Sequence, residues 1–325
     1  MPKRIIEARP SELAQINGLQ VLDSIRVSGG RAISAETVAF MPSLVTGVSN
    51  AALAAAMGAD VIHFNHYDVD KPQVAGIPSI PEGVSAWKKA GVGIEPSHEV
   101  EGPAGGFLQT LGFGVTLQDL RNVIGRVVGL SLEILCEGSD APRGRLATAE
   151  TGARALQQGA AYLTVIATPA HSPQVLANNM RLLRAGLGPD AMLVAGRMPW
   201  GGSRMGISDF MLPSEVDKVV EAGANMVVLP APGTMADATL EVIREAVALA
   251  HRLGALAEIT IGTSQESADQ DTVRRLAMES KLTGADLFDI GDGGFTGVAP
   301  PENIFAFAVA IKGRRHTYRR MADRT

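Results

Sequence analysis

A glycine that ends one amphipathic segment and precedes a short apolar run recurs along this chain. Its six copies are Gly58, Gly159, Gly188, Gly223, Gly254 and Gly284, and the last five are spaced 29, 35, 31 and 30 residues apart. A helix favours glycine just after its last turn, because the backbone there is left-handed and a Cβ would clash. Because about 30 residues is the size of one strand–helix unit, the repeat predicts a succession of βα units.

Eight short apolar runs alternate with helical patterns and are predicted to be strands. Near-continuous apolar runs are typical of parallel strands that are buried on both faces. Eight such units in strict alternation favour a single closed (β/α)8 barrel, the TIM-barrel fold, over an open α/β sheet. The predicted strands are Ala32–Val38, Asp60–Asn65, Ser131–Leu135, Tyr162–Ile166, Met192–Ala195, Asn225–Leu229, Ala257–Ile261 and Asp286–Ile290.

The rest of the chain is arranged around this barrel. We expect a short N-terminal helical extension over residues 1–31, the barrel over 32–312 and a basic C-terminal tail over 313–325, either a solvated helix end or a subunit contact. A loop insertion rich in Gly and Pro, at about 67–115, interrupts the repeat before a helix that Thr116 is predicted to cap. So long a connection is typical of a lid, a binding loop or an oligomer contact, although passive cover of that face is an alternative.

Composition argues against several classes of partner. The formal net charge is −5, which gives a nucleic-acid or anionic-membrane partner no electrostatic support. The single cysteine, Cys136, rules out an internal disulfide and fits a reducing cytoplasm. No apolar run approaches the roughly 20 residues of a membrane span, and the N-terminus lacks the core of a signal peptide. We therefore expect a cytoplasmic protein, with a homo-oligomer as an open alternative to a monomer.

Two loops near the end of the chain carry the most specific chemistry. Glycine-rich loops that lead into helices present unpaired N–H groups, which bind an anion without a basic side chain. In phosphate-binding barrels these are the loops after strands 7 and 8. They predict a phosphate site, although the glycines could serve turn geometry alone and Asp292 would repel an anion unless it points away or binds a metal. The predicted phosphate-site residues are Gly262, Thr263, Ser264, Asp289, Gly293, Gly294, Thr296 and Gly297.

In this organisation the chain resembles the phosphate-binding (β/α)8 barrels over most of its length. More narrowly, Ser49-Asn-Ala-Ala-Leu-Ala-Ala-Ala-Met-Gly-Ala-Asp-Val-Ile-His-Phe64 is similar to the first helix and second strand of the phosphoenolpyruvate-phosphonomutase and isocitrate-lyase group. That resemblance implies an acidic cluster around Mg²⁺, with paired aspartates at one strand end. This chain has Glu133-Ile-Leu-Cys-Glu137 there and no Asp-x-Asp, so the resemblance implies the fold rather than the mechanism.

Polar residues in the predicted strands are candidates for catalysis, because burying them costs on the order of a few kcal/mol unless they are paired or used. A carboxylate inside a barrel has a raised pKa and can act as a general acid or base, or it can belong to an interior salt-bridge network with Arg197. His63 could be an acid/base, a ligand or a hydrogen-bonded core residue, and Arg197 could orient a carboxylate or phosphate. His171 could contact substrate or lie exposed in its loop. The predicted catalytic residues are Glu36, His63, Glu133 (the first choice), Arg197 and Glu258, with Asn65 and His171 as substrate contacts.

A metal site is a further hypothesis. Glu36, His63, Glu133 and Glu137 could converge on Mg²⁺ or Mn²⁺, although no motif such as His-Glu-x-x-His supports this. None of the seven lysines lies in a predicted strand, so a Schiff base on a strand-borne lysine is not expected.

The leading functional hypothesis is a lyase or isomerase. Its substrate would be a small phosphorylated carbon compound, of the sugar-phosphate or enol-phosphate type, on which a carboxylate moves a proton. The first alternative is a Mg²⁺- or Mn²⁺-dependent mutase, lyase or hydrolase of the phosphonomutase kind. The second is a barrel that binds a phosphorylated metabolite without converting it, because the fold alone does not determine function.

Overall fold

The computed structural model describes residues 2–80, 85, 111–134, 141–199, 209–293 and 297–323. Eight parallel strands follow one another in chain order around a closed barrel, and the eighth pairs with the first. This is the predicted (β/α)8 barrel. The strands are β1 Ala32–Val38, β2 Val61–Asn65, β3 Val127–Glu133, β4 Tyr162–Ala167, β5 Leu193–Arg197, β6 Met226–Pro230, β7 Leu256–Ile261 and β8 Leu287–Ile290.

Helices surround the barrel, and two short ones precede the first strand. No helix in the described ranges combines the length and apolar character needed to cross a membrane. The helices described are α1 Pro10–Leu13, α2 Leu19–Arg26, α3 Asn50–Ala56, α4 Leu117–Ile124, α5 Ala149–Gln157, α6 Pro173–Leu187, α7 Pro213–Glu221, α8 Leu240–Arg252, α9 Gln270–Leu282 and α10 Pro301–Ala322.

The repeated glycines take the left-handed conformation that their position after a helix predicts. All six have φ between 78° and 109°. At Gly159 space is also restricted, because a Cβ would lie 2.4 Å from the backbone nitrogen of Gln118. The repeat therefore reflects a real requirement for glycine at the turn between each helix and the following strand.

The predicted strand bounds are within two residues of the observed ones except at β3. That strand was predicted over Ser131–Leu135 but begins at Val127, and Leu135 lies outside the described residues. The prediction was wrong because Gly129 gives no strand signal in the sequence. In the fold, Gly129 makes room for the ring of Tyr162, whose Cζ would lie 2.1 Å from a Cβ at this position.

The two ends of the long connection after β2 are hydrogen-bonded to each other. The amide of Val74 donates to the carbonyl of Gly112 at 3.1 Å, and the amide of Ile80 donates to that of Phe113 at 2.8 Å. Thr116 caps α4 as predicted, since its hydroxyl accepts from the amide of Asp119. Apart from residue 85, positions 81–110 lie outside the described residues.

A buried ion-pair cluster holds the C-terminal helix against the start of the barrel. The Asp60 carboxylate accepts from Lys312 Nζ at 2.6 Å and from Arg320 Nε at 2.9 Å, and also from the amide of Ile33 in β1 at 3.1 Å. Burial alone would raise the pKa of Asp60, but the two cations lower it. The expectation of a solvated helix end is therefore wrong for Arg320, which is 1 % exposed.

Replacing Asp60 by Asn should destabilise the fold strongly, because Lys312 and Arg320 would remain buried without a counter-charge. We expect the free energy of unfolding in urea to fall by about 3–5 kcal/mol. The matched control is Asp271→Asn, which removes an exposed ion pair with Arg274 and should change stability little. Equal effects of the two substitutions would contradict a structural role for the buried cluster.

Candidate active site

The barrel opens at the carboxyl ends of its strands into a cavity of about 570 Å³, here called the central cavity. Among the described residues that line it, none is a lysine or an arginine. The absence of these cations makes the cavity strongly acidic. Six carboxyl groups line it: Glu36, Glu133, Glu258, Glu266, Asp289 and Asp292.

Two of these carboxyls share one hydroxyl group. Ser34 Oγ lies 2.9 Å from Glu258 Oε1 and 2.7 Å from Asp289 Oδ1. A serine hydroxyl has a single proton, so both contacts are hydrogen bonds only if one carboxyl is itself a donor. Asp289 also accepts from Thr260 Oγ1 at 2.7 Å, which favours its ionised form and leaves Glu258 as the protonated partner.

Burial and mutual repulsion raise the pKa values of the inner carboxyls. Burial, with the nearby Asp289, raises the pKa of Glu258 to about 8, and burial raises the pKa of Asp289 to about 6. The pKa of Glu36 lies well above its ordinary value, because of burial first and then of Asp289, Asp292 and Glu258. These directions agree with the prediction for Glu36 and Glu258, and they leave protons available inside the barrel near neutral pH.

Asn65 links the inner carboxyls to the mouth of the cavity. Its Nδ2 donates to Glu36 Oε2 at 3.3 Å and to Asp292 Oδ2 at 3.1 Å. Glu36 and His63 occupy paired positions of β1 and β2, and Asn65 lies two residues further along β2, so all three project inward. The structure thus brings these three predicted residues together.

His63 stands beside a residue that the sequence analysis missed. Its Nδ1 lies 3.1 Å from the hydroxyl of Tyr162 and its Nε2 lies 2.7 Å from Ser131 Oγ. The two rings stack with centroids 5.7 Å apart. Burial lowers the pKa of His63 to about 4, so the imidazole is neutral at pH 7. The inward position of Tyr162 in β4 and the facing Gly129 were the signals that could have identified this pair.

The pKa of Glu133 is lowered, whereas the sequence analysis predicted that burial would raise it. It lies at the end of β3, where it accepts from Arg145 Nε at 2.8 Å and contacts His66 Nδ1 at 3.2 Å. Burial alone would raise its pKa, but these partners lower it. The first-choice general base is therefore an ionised member of an ion pair at the rim, and its predicted partner Glu137 lies outside the described residues.

The prediction that Arg197 faces the barrel interior is wrong. Gly196 lies in register with the inward-facing Ile166, so the next side chain points to the helices. Arg197 Nη2 donates to Glu215 Oε1 in α7 at 2.8 Å, which excludes the predicted interior network with Glu133 or Glu258. His171 is buried rather than exposed, and its Nδ1 accepts from the amide of Thr168 at 3.2 Å.

Only part of the predicted phosphate site lines the central cavity. Gly262, Thr263, Ser264 and Asp289 line it, whereas Gly293 and Gly297 do not. Gly294 and Thr296 lie outside the described residues.

The same two loops carry carboxyl groups. Glu266 lies against Gly291 and is 5 % exposed, and Asp292 lies on the neighbouring loop. Burial, the larger cause, and Asp292 raise the pKa of Glu266. A phosphate dianion would meet these groups, so the side chains oppose the anion binding that the glycine-rich backbone favours.

Two buried polar atoms on the cavity wall have no hydrogen-bond partner. Within the described part of the chain, they are Thr164 Oγ1 and Glu266 Oε2. Buried polar atoms are almost always satisfied, so these two atoms are exceptions, and they lie beneath the surface of the cavity wall. No three His, Cys, Asp or Glu side chains in the described ranges form a metal-binding group. Glu137 of the predicted Mg²⁺ or Mn²⁺ site lies outside those ranges, so that site stays a prediction.

Residues 6–325 match the model of a protein family described as "Domain of unknown function (DUF7916)". The chain belongs to this family. No curated protein matches it.

Several solved structures are similar to this chain in fold. A Schiff-base-forming fructose-1,6-bisphosphate aldolase has a TM-score of 0.48 and 13 % identity, covering 87 % of this chain and 94 % of its own. A tryptophan synthase from M. tuberculosis has a TM-score of 0.46 and 15 % identity. The match covers 90 % of this chain and 98 % of the synthase chain. A thiamine phosphate pyrophosphorylase from Pyrococcus furiosus has a TM-score of 0.44 and 10 % identity. The match covers 88 % of this chain and 98 % of the pyrophosphorylase chain. At such identities the likeness concerns the barrel fold alone, and the narrower phosphonomutase resemblance stays a prediction.

Replacing Glu258 by Gln should change how stability depends on pH. The folded pKa of Glu258, about 8, exceeds its ordinary value of 4.5, so the folded protein holds the extra proton between these limits. The free energy of unfolding therefore falls as the pH rises through this window. The variant lacks this loss, so its stability relative to wild type should increase between pH 5 and 8 by on the order of a few kcal/mol.

Urea unfolding at half-unit pH intervals measures this difference. Glu241→Gln, on the exposed face of α8, is the matched control and should follow the wild-type slope. Parallel curves for Glu258→Gln and wild type would show that Glu258 ionises at its ordinary pKa.

Proposed function

We propose that this protein is a lyase or isomerase that moves a proton on a small phosphorylated carbonyl compound bound in the central cavity. The observation that carries the proposal is the Glu36 carboxyl, which faces the cavity and has its pKa raised by burial and by three neighbouring carboxyls. A carboxyl with a raised pKa can accept and return a proton near neutral pH, which is the requirement for general acid–base catalysis.

The groups behind Glu36 support this role. Glu258 and Asp289 are almost fully buried and share Ser34, so they hold a proton close to Glu36 without being as open to the cavity. Asn65 donates to Glu36 Oε2 and would orient the carboxyl toward a substrate. His63 is neutral, and its two ring nitrogens contact Tyr162 and Ser131, so it would orient these hydroxyl groups at the cavity wall.

The cavity wall supports binding of a polar ligand. Asn65, Thr263 and Ser264 line it and carry amide or hydroxyl groups, which can hydrogen-bond the oxygens of a substrate. A compound with several hydroxyl groups and a carbonyl suits such a polar wall. The neutral, oxygen-rich part of the substrate therefore suits the central cavity better than its phosphate does.

The chemistry does not rely on a lysine in a strand. None of the eight strands contains a lysine, in agreement with the sequence analysis. A carbonyl in this cavity would thus be activated by hydrogen bonds and proton transfer rather than by a Schiff base on a strand-borne amine. This separates the proposed reaction from that named for the Schiff-base-forming aldolase of similar fold.

Replacing Glu36 by Gln should abolish most of the proton transfer while leaving binding intact. The variant and the wild-type protein are incubated in D₂O with a panel of sugar phosphates and enol phosphates. We expect the rate of carbon-bound proton exchange or turnover to fall by about 10²–10⁴-fold in the variant. Nuclear magnetic resonance of the substrate protons measures this rate. Glu241→Gln serves as the surface control and should keep the wild-type rate.

The outcomes distinguish the alternatives. Wild-type rates in Glu36→Gln would contradict the proposal. Saturable binding of a panel member without exchange or turnover would instead favour the non-catalytic sensor. Loss of turnover on chelation, restored by Mg²⁺ or Mn²⁺, would favour the metal-dependent mutase, lyase or hydrolase.

A further inference from the structure

A histidine on the wall of the central cavity links a buried tyrosine to a serine that lines the cavity. Tyr162 on β4 is fully buried, whereas His63 on β2 and Ser131 on β3 both line the cavity. The Tyr162 hydroxyl lies 3.1 Å from His63 Nδ1, and Ser131 Oγ lies 2.7 Å from His63 Nε2. The three side chains therefore form one chain of hydrogen bonds that ends at the cavity.

The register of the strands accounts for this arrangement. His63 pairs with Gly129 on β3, and Gly129 pairs with Tyr162 on β4. The tyrosine ring occupies the space that a side chain at position 129 would fill. Ser131 lies two residues further along β3 on the same face, and thus nearer to the mouth of the barrel. The chain of hydrogen bonds therefore runs from the buried tyrosine toward the mouth.

Both rings are neutral at pH 7. Burial, with Glu258 as the next cause, raises the pKa of Tyr162 well above its ordinary value, and burial lowers the pKa of His63 to about 4. Tyr162 thus keeps its hydroxyl proton, and the His63 imidazole carries a single proton, on either Nδ1 or Nε2. Which nitrogen carries that proton determines the direction of both hydrogen bonds.

The surroundings of Tyr162 determine the position of the imidazole proton. Among the described residues, His63 Nδ1 is the only hydrogen-bond partner of the Tyr162 hydroxyl. Because a buried donor without an acceptor is costly, Tyr162 must donate to Nδ1, and the proton of the imidazole lies on Nε2. Nε2 then donates to Ser131 Oγ, which has no other partner in the described part of the chain. The hydroxyl proton of Ser131 is therefore left for an acceptor in the cavity.

We infer that Ser131 donates its hydroxyl proton in a hydrogen bond to the carbonyl oxygen of the substrate, and that His63 and Tyr162 are positioning residues that fix this direction. The inference rests on the proposed function, to which it adds the group that binds the carbonyl. When Glu36 accepts a proton from the carbon beside the carbonyl, the electron pair of that C–H bond forms a C=C bond. The negative charge then moves to the carbonyl oxygen, where Ser131 stabilises it.

The composition of the central cavity makes such a donor necessary. None of the described residues that line it is a lysine or an arginine, so a developing oxyanion has no cationic partner on that wall. A hydrogen-bond donor held in place toward the developing charge can make a large contribution to catalysis. In a chain of hydrogen bonds each bond polarises the next, so Tyr162 and His63 strengthen Ser131 as a donor.

¹⁵N NMR of histidine-labelled protein measures the direction of the chain without a substrate. We expect the His63 signals, assigned with His63→Gln, to show a protonated Nε2 and an unprotonated Nδ1. Tyr162→Phe removes the donor to Nδ1, so the proton population should shift toward Nδ1 while Ser131 donates to Nε2. Tyr318→Phe, which removes an exposed hydroxyl on α10, is the matched control and should leave the His63 signals unchanged.

Substitution of Ser131 tests the contact with substrate. Ser131→Ala should lower kcat on the substrate panel by about 10²–10³-fold and change KM by less than about threefold, because the bond strengthens as charge develops. Ser131→Thr keeps the hydroxyl and should restore most of the rate. Ser214→Ala, at an exposed position of α7, is the control and should keep the wild-type kcat.

The inference is overturned if the wild-type imidazole carries its proton on Nδ1, if Ser131→Ala keeps the wild-type kcat, or if Ser131→Thr loses as much of the rate as Ser131→Ala does. Failure of the proposed function is a separate outcome. Glu36→Gln should leave the His63 signals unchanged, because Glu36 is hydrogen-bonded to Asn65 rather than to this chain. Absence of turnover with every panel member would contradict the proposed function, and the NMR measurement would still decide whether Ser131 has a free donor.

Discussion

The alternation of side chains along each strand of the closed barrel determines the rest of this structure. In a parallel barrel every second residue must face the interior, and the register between neighbouring strands decides which ones share a level. Glu36 and His63 are paired in register and therefore meet inside the barrel. Arg197 lies one residue from an inward position and is bound to Glu215 among the helices instead. A single step along a strand thus separates an interior candidate from a structural ion pair.

This alternation also places carboxyls where their charge is costly to the fold. Glu258 and Asp289 are almost fully buried without a lysine or arginine on the described wall of the cavity. Asp60 is equally buried but has Lys312 and Arg320 beside it, and its pKa moves in the opposite direction. The contrast shows that the chain can pair an interior carboxylate with cations. Unpaired inner carboxyls are therefore a feature that stability alone does not explain.

Sequence patterns predicted the fold better than the site, for a physical reason. Apolar runs and helix-ending glycines are local signals, so seven of the eight strands could be placed within two residues. Glu36, His63, Asn65 and Glu258 could be selected because each projects inward from a strand that was correctly placed. The ion pair of Glu133 with Arg145 could not be predicted, because the partner comes from a loop twelve residues away. Tyr162 was missed because its role depends on Gly129 in the neighbouring strand.

The central cavity combines six carboxyls with no lysine or arginine among the described residues that line it. Four of the six carboxyls come from strand residues, whereas Glu266 and Asp292 come from the loops after β7 and β8. A cation deep in the barrel would lower the pKa of Glu36 and remove its capacity to act as an acid or base near neutral pH. Keeping lysine and arginine off the described wall of the central cavity therefore preserves the raised pKa values of Glu36 and Glu258.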